Sequence, residues 1–175
     1  YPREFLENRL EIIKQQQIDD LCIAATRETV IDILSQSIKQ SNIMYTQYDI
    51  LVTNPPHMGL KHMNPLLSRY LSKYYAHSKF DLFACFMEVD HYLKEHSFYA
   101  SVNQHSWMFL SSFEKVRKKI ISEKSVDSML HLGPRAFEEI GGEVVQSTAF
   151  VLRNSNISNR DGIYLRLIDK KTSKD

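Results

Sequence analysis

A chain of 175 residues with 43% apolar and 25% charged residues has enough material for one domain with a core, and its composition is neither disordered nor fibrous. The formal net charge of +1 provides no global field for nucleic acid, so any such attraction must come from local patches. No apolar stretch reaches the length of a membrane span, and the opening Tyr1, Pro2, Arg3, Glu4 has neither the pattern of a signal peptide nor a starting methionine, which points to a piece of a longer protein.

In chain order, Ile18 to Lys39 has helical spacing, with Val30, Ile33, Leu34, Ser37 and Ile38 on one expected face, so that residues 1–47 form a helical lead-in. Tyr48 to Thr53 is a short apolar run stopped by Pro55 and Pro56, which predicts a buried strand. Asn64 to His77 is helical or irregular and interleaves Arg69 and Lys73 with Tyr70, Tyr74 and Tyr75. A helix is expected next from the stripe Leu82, Phe86, Val89 and Leu93, with Ser78 and Asp81 as a capping box. Ser97 to Asn103 alternates as a strand, and Phe109 to Ser122 returns to helical spacing through Phe113, Val116, Ile120 and Ile121. Val126 to Leu132 is a strand candidate, Gly141 and Gly142 mark a turn, and Val144 to Leu152 and Ile163 to Ile168 are expected as closing strands. Strands that alternate with helices and then follow one another predict an α/β fold with a mixed sheet and an antiparallel edge. Residues 48–153 would form its working part and 154–175 a closing strand and tail.

The chemistry concentrates at Asn54, Pro55, Pro56 and His57, directly behind the first strand, where open α/β sheets place their ligands. The two prolines fix φ and have no N–H, leaving the Asn54 and Pro55 carbonyls as uncontested acceptors. Paired acceptors of this kind fit the two N–H donors of an exocyclic amine such as that of adenine, hold the nitrogen, and free its lone pair to attack an electrophile. A ring at the fourth position can stack on the flat group that carries the amine. The plainer alternative is a sharp exit from a strand.

These residues resemble a known family, the DNA methyltransferases that modify adenine N6, and within them the PglX family of BREX phage defence. The resemblance rests on four segments in the family's order, YDILVTNPPHMG, KFDLFACFMEVDHYLKE, SWMFLSSFEKVRKKI and LHLGPRAFEEIGGEVVQSTAFVLR. It implies the C-terminal catalytic part of a Rossmann-like, S-adenosylmethionine-dependent methyltransferase acting on a flipped adenine in double-stranded DNA, in restriction–modification or phage defence. Other defence proteins are implied as partners, with a cytoplasmic location. On this resemblance Asn54, Pro55 and Pro56 are the catalytic loop, His57 and Phe137 hold the two faces of the base, and Phe86, together with Asn54, lies against the cofactor. For Phe86 the alternative is packing within the helix stripe, and for Phe137 a buried loop anchor. Gly133 would permit the turn ahead of Phe137.

Three departures from the family stand out. His57 replaces the usual Tyr, Phe or Trp; Glu95 and His96 replace a glycine pair before Ser97; and no glycine precedes Gly59. The glycine-rich cofactor loop implied by the resemblance is therefore missing, so the isolated chain is expected to bind S-adenosylmethionine poorly. Two rival functions remain open: a noncatalytic DNA- or partner-binding module of the same fold, and methylation of a glutamine side-chain amide in a protein. Lys61, Arg69, Lys73 and Lys79 among tyrosines suit DNA phosphates, the first three being the candidate backbone contacts, although a solvated helix face reads slightly better. Lys115, Arg117, Lys118 and Lys119 are ordinary cations near a helix C-terminus. The seven histidines lack ligand spacing, and Cys22 and Cys85 lie in apolar surroundings without a zinc pattern, so no metal site and two reduced core thiols are expected.

Overall fold

The computed structural model describes residues 3–17, 21–134, 146–157 and 160–168. Its contacts cluster into two units, residues 1–46 and 47–175, each described by itself. In the first unit, α1 (Arg3–Gln15) packs on α2 (Leu21–Tyr45). The two run antiparallel, because Asn42 Nδ2 donates to Glu7 Oε1 at 3.4 Å while Arg27 Nε donates to the Ile13 carbonyl at 2.7 Å. Leu10 and Ile38 are the buried pair between them. The expected face of α2 needs correction: Leu34 and Ile38 turn inward, but Val30, Ile33 and Ser37 are exposed. A single partner helix covers only one side of α2, and the inward positions continue through Ala24, Arg27 and Ile31 instead. α2 also continues six residues past Lys39, to Tyr45.

The second unit is built on a five-stranded sheet of order β1-β2-β4-β3-β5. The strands are β1 (Tyr48–Thr53), β2 (Leu93–Gln104), β3 (Ser125–Gly133), β4 (Ser147–Arg153) and β5 (Ile163–Arg166). β1 pairs parallel with β2 and β3 parallel with β5, whereas β4 is antiparallel to both of its neighbours. The mixed sheet is as expected, but its antiparallel strand lies in the interior rather than at the rim. β4 bears Thr148, Phe150 and Leu152, all nearly fully buried on one face, and hydrogen-bonds on both edges. Gly141, Gly142 and Val144 lie outside the described residues.

Register places Leu51, Tyr99, Leu152 and Val126 abreast on one face of the sheet, with Phe150 beside Met129 further along. That face meets α5 (Glu114–Glu123) and α4 (Leu82–Cys85), and the resulting core comprises Phe83, Ala84, Met87, Leu93, Tyr99, Trp107, Phe113, Val116, Ile120, Phe150 and Leu152. The expected helical face of Phe113, Val116 and Ile120 is buried, but Ile121 is turned 100° away from Ile120 and is 72% exposed.

The long helix expected from Leu82 to Leu93 is not formed. α4 lasts four residues, two 3₁₀ turns follow at Phe86–Glu88 and Asp90–Tyr92, and Leu93 is already the first residue of β2. The tighter turns shift the buried positions to Phe83, Ala84 and Met87, which leaves Phe86 36% exposed. The N-cap is Asp81 alone; Ser78 is wholly buried and its hydroxyl turns back to the Tyr75 carbonyl. Cys85 is a buried free thiol whose pKa burial pushes up to about 11, which makes it an inert core group.

His96 sits in a bulge of β2, where the register with β1 jumps from Tyr48↔Leu93 to Ile50↔Phe98. It takes φ of 63°, the left-handed conformation that glycine adopts freely and other residues rarely. Asn154 braces the bulge by donating from Nδ2 to the Lys94 carbonyl at 2.9 Å and from its amide to the Ser97 carbonyl at 2.8 Å. Gly133 ends β3 at φ of 74°, with Ile168 packed where a Cβ would stand, so the turn there requires glycine.

Candidate active site

β1 ends at Thr53, and the next four residues lie at the C-terminal end of the parallel β1–β2 pair. Pro55 is buried and anchors the turn, while Asn54, Pro56 and His57 are exposed. Among the described residues the side-chain amide of the exposed Asn54 makes no hydrogen bond. The His57 ring packs edge-on against Phe83 with centroids 5.5 Å apart, and Phe83 in turn meets Phe113 at 5.4 Å. Although exposed on one side, the imidazole is therefore seated against the core.

The loop's exit is held by a second segment. Met58 N donates to Asp81 Oδ1 at 2.9 Å, Leu82 N to the Met58 carbonyl at 3.0 Å, and Leu60 N to the Phe80 carbonyl at 3.2 Å. The same Asp81 oxygen caps α4 by accepting from Phe83 N at 3.3 Å. Sequence reasoning placed Asp81 in a capping box and missed the contact to the loop, which spans 23 residues and leaves no local signature.

A pair of histidines also emerges from the fold without a sequence signal. His105 follows β2 and His131 lies on β3, two strands away, with His105 Nδ1 3.1 Å from His131 Nε2. Burial, and then the neighbouring His131, lower the His105 pKa below its usual value. Among the described residues no cluster of three or more His, Cys, Asp or Glu is placed to hold a metal.

Phe86 is 36% exposed, whereas Phe83, Ala84, Cys85 and Met87 beside it are buried. Phe137 lies outside the described residues. Lys61, Arg69 and Lys73 are exposed and make no ion pair among the described residues. Arg69 and Lys73 ride on α3 (Pro65–Tyr74), whose N-cap is Asn64. Lys73 stands 4.9 Å from the centre of the Tyr74 ring, and Tyr70 and Tyr74 lie 4.8 Å apart. No acidic residue occurs between Asn54 and Phe80 in a chain that holds 21 elsewhere. Lys115, Arg117, Lys118 and Lys119 lie toward the start and middle of α5 and not near its C-terminus as expected, because the helix begins only at Glu114; Arg117 binds the Trp107 and Leu110 carbonyls, Lys118 pairs with Glu114, and Lys119 pairs with Asp90 at 2.8 Å.

The family described as Eco57I restriction-modification methylase matches residues 4–137. The chain belongs to that family. It is 47% identical over 142 residues to the adenine-specific methyltransferase PglX of Lacticaseibacillus casei (strain Zhang), covering 81% of this chain and 12% of that protein. The chain thus spans about an eighth of the length of this curated relative. Its fold is that of S-adenosylmethionine-dependent methyltransferases. A class I member from Listeria monocytogenes superposes with a TM-score of 0.54 at 12% identity, over 74% of this chain and 39% of that one. The type IIL restriction-modification enzyme MmeI in complex with DNA gives 0.56 at 15% identity, over 71% and 17%. No helix among the described residues is long and apolar enough to cross a membrane.

Proposed function

We propose that this chain is the catalytic-loop segment of a DNA adenine-N6 methyltransferase that serves restriction–modification or phage defence in the cytoplasm. The observation that carries this reading is the free Asn54 amide at the open end of β1, followed by a buried proline anchor and a seated ring, in a chain of this family.

Asn54 Oδ1 and the Pro55 carbonyl accept the two amino protons of a flipped adenine, which holds the nitrogen and directs its lone pair outward. His57, fixed against Phe83, lies along one face of the base, and Phe137 is assigned to the other. S-adenosylmethionine, when bound, supplies an electrophilic methyl group on a sulfonium sulfur. The residues present fit this group in part: Phe86 and Asn54 would lie against it, but no glycine precedes Gly59 in this chain to cradle the remainder. Held in this way, the amino group would be presented to the methyl group that S-adenosylmethionine supplies, and its surplus proton would pass to solvent. Lys61, Arg69 and Lys73 meet the phosphates of double-stranded DNA, supported by the acid-free run around them.

A second reading, a noncatalytic module retaining the fold for DNA or for another defence protein, is favoured by His57 where the family has a larger aromatic. Labelled-methyl transfer to DNA by the whole protein, beside its His57→Tyr form, separates the two. Labelling by the unaltered protein upholds catalysis, with the tyrosine form expected to be faster through greater stacking area. Labelling by the tyrosine form alone upholds the noncatalytic module.

A further inference from the structure

The NPPH loop has no secondary structure of its own after Thr53, yet a catalytic loop must hold its acceptors within a fraction of an ångström of the amine. Two prolines stiffen its middle, but they fix nothing about where the loop sits on the fold. That position is set by what grips the residues on either side. On the entry side the grip is the β1–β2 ladder, through Thr53↔Ser101. On the exit side it is the segment Phe80–Leu82, and the geometry points to Asp81 as its centre.

Resting on the methyltransferase reading above, we propose that Asp81 is a positioning residue for the catalytic loop, its carboxylate coupling the loop to the start of α4. Oδ1 accepts from Met58 N at 2.9 Å, one residue beyond His57, and from Phe83 N at 3.3 Å. Phe83 is itself the ring on which His57 rests. One oxygen therefore fixes both the backbone next to the stacking residue and the backbone of the residue that seats it. Around that oxygen the main chains pair as a short antiparallel bridge between Gly59 and Asp81, completed by Leu82 N to the Met58 carbonyl and Leu60 N to the Phe80 carbonyl. The lone purpose of capping a four-residue helix does not require the reach to Met58, because an N-cap needs only to satisfy N–H groups at the helix start.

Side-chain length separates the two roles. A serine caps a helix well but is one bond shorter than aspartate, so Asp81→Ser keeps the bond to Phe83 N and loses the one to Met58 N. Asparagine keeps an oxygen at the same reach, so Asp81→Asn preserves both. The test uses the whole methyltransferase that contains this chain, with steady-state methyl transfer to DNA and hydrogen–deuterium exchange of the peptide carrying the 57–60 amides. For Asp81→Ser we expect the thermal midpoint to stay within about a degree. The same variant should lower kcat at least about tenfold, with KM for DNA within about twofold, and speed exchange at Met58 about tenfold. Asp81→Asn should stay within about twofold of the unaltered protein in both readouts. Unchanged Met58 exchange in Asp81→Ser overturns the coupling. Faster exchange with unchanged kcat overturns its role in positioning. Equal loss in the serine and asparagine forms overturns the argument from reach, since charge would then be responsible. If the unaltered protein transfers no methyl group, the methyltransferase reading fails and with it the role in positioning, while the exchange measurement still decides the coupling of Asp81 to the loop.

Discussion

Replacing Phe83 by leucine tests whether the core and the candidate site are mechanically one object. Phe83 is wholly buried, with its ring against His57 at 5.5 Å and Phe113 at 5.4 Å. Leucine fills most of the volume but makes neither ring pair, each worth about 0.5–1.5 kcal/mol beyond the area it buries. The expected loss is about 2 kcal/mol, or about 4–8 °C in Tm for a chain of this size. Phe113→Leu is the control, because it removes the pair with Phe83 but has no contact with His57 among the ring pairs. It should cost less, about 1 kcal/mol. Thermal unfolding by circular dichroism reads both losses. Proton NMR of the His57 C2–H, assigned by its disappearance in His57→Tyr, reads the coupling, since that proton lies in the ring current of Phe83. The resonance should move in Phe83→Leu and stay in Phe113→Leu. An unmoved resonance in Phe83→Leu would refute the seating of His57 on the core, whatever the change in Tm.

Two further outcomes follow from local structure. His96→Gly should raise stability by about 0.5–1 kcal/mol, because relief of the left-handed backbone at φ of 63° outweighs the added chain entropy; a lower Tm would show that the histidine side chain contributes more than its strain. Asp90 lies among Lys119 and Lys124, and although burial alone would raise its pKa, hydrogen bonds from both lysines hold it below the ordinary 3.8. A depressed carboxyl pKa adds stability that is present above 3.8 and is lost as pH falls through the lower folded value. Asp90→Asn should therefore flatten the fall in stability between neutral pH and pH 3, measured by urea unfolding; an unchanged slope would place the acid sensitivity elsewhere.

Strands announced themselves in the sequence where local chemistry ended them. Pro55 and Pro56 stop the apolar run behind Thr53, and β1 occupies Tyr48–Thr53 as expected, but it is not the buried strand its apolar run implied: it lies at the sheet's edge with Ile50 and Val52 exposed. Asn54 and His57 lie exposed just beyond the C-terminal end of β1. Helical spacing was less dependable where turns tightened: Leu82, Phe86, Val89 and Leu93 share a stripe only if the chain stays α-helical, and two 3₁₀ turns and a strand start break that condition. On α2 most of the apolar residues described are exposed, so periodicity could not show which side meets α1. The grip of Asp81 on Met58 and the approach of His105 to His131 depend on residues 23 and 26 positions apart. Such contacts are products of strand order and leave no spacing to read.

The central claim is that Asn54 holds the amine that receives the methyl group. Its most direct test is transfer of labelled methyl from S-adenosylmethionine to adenine in DNA by the whole protein, compared with its Asn54→Ala form. The account predicts labelled N6-methyladenine from the unaltered protein and a kcat lowered at least about 100-fold in the variant, with DNA affinity little changed. An Asn54→Ala protein that methylates adenine at the unaltered rate would contradict it.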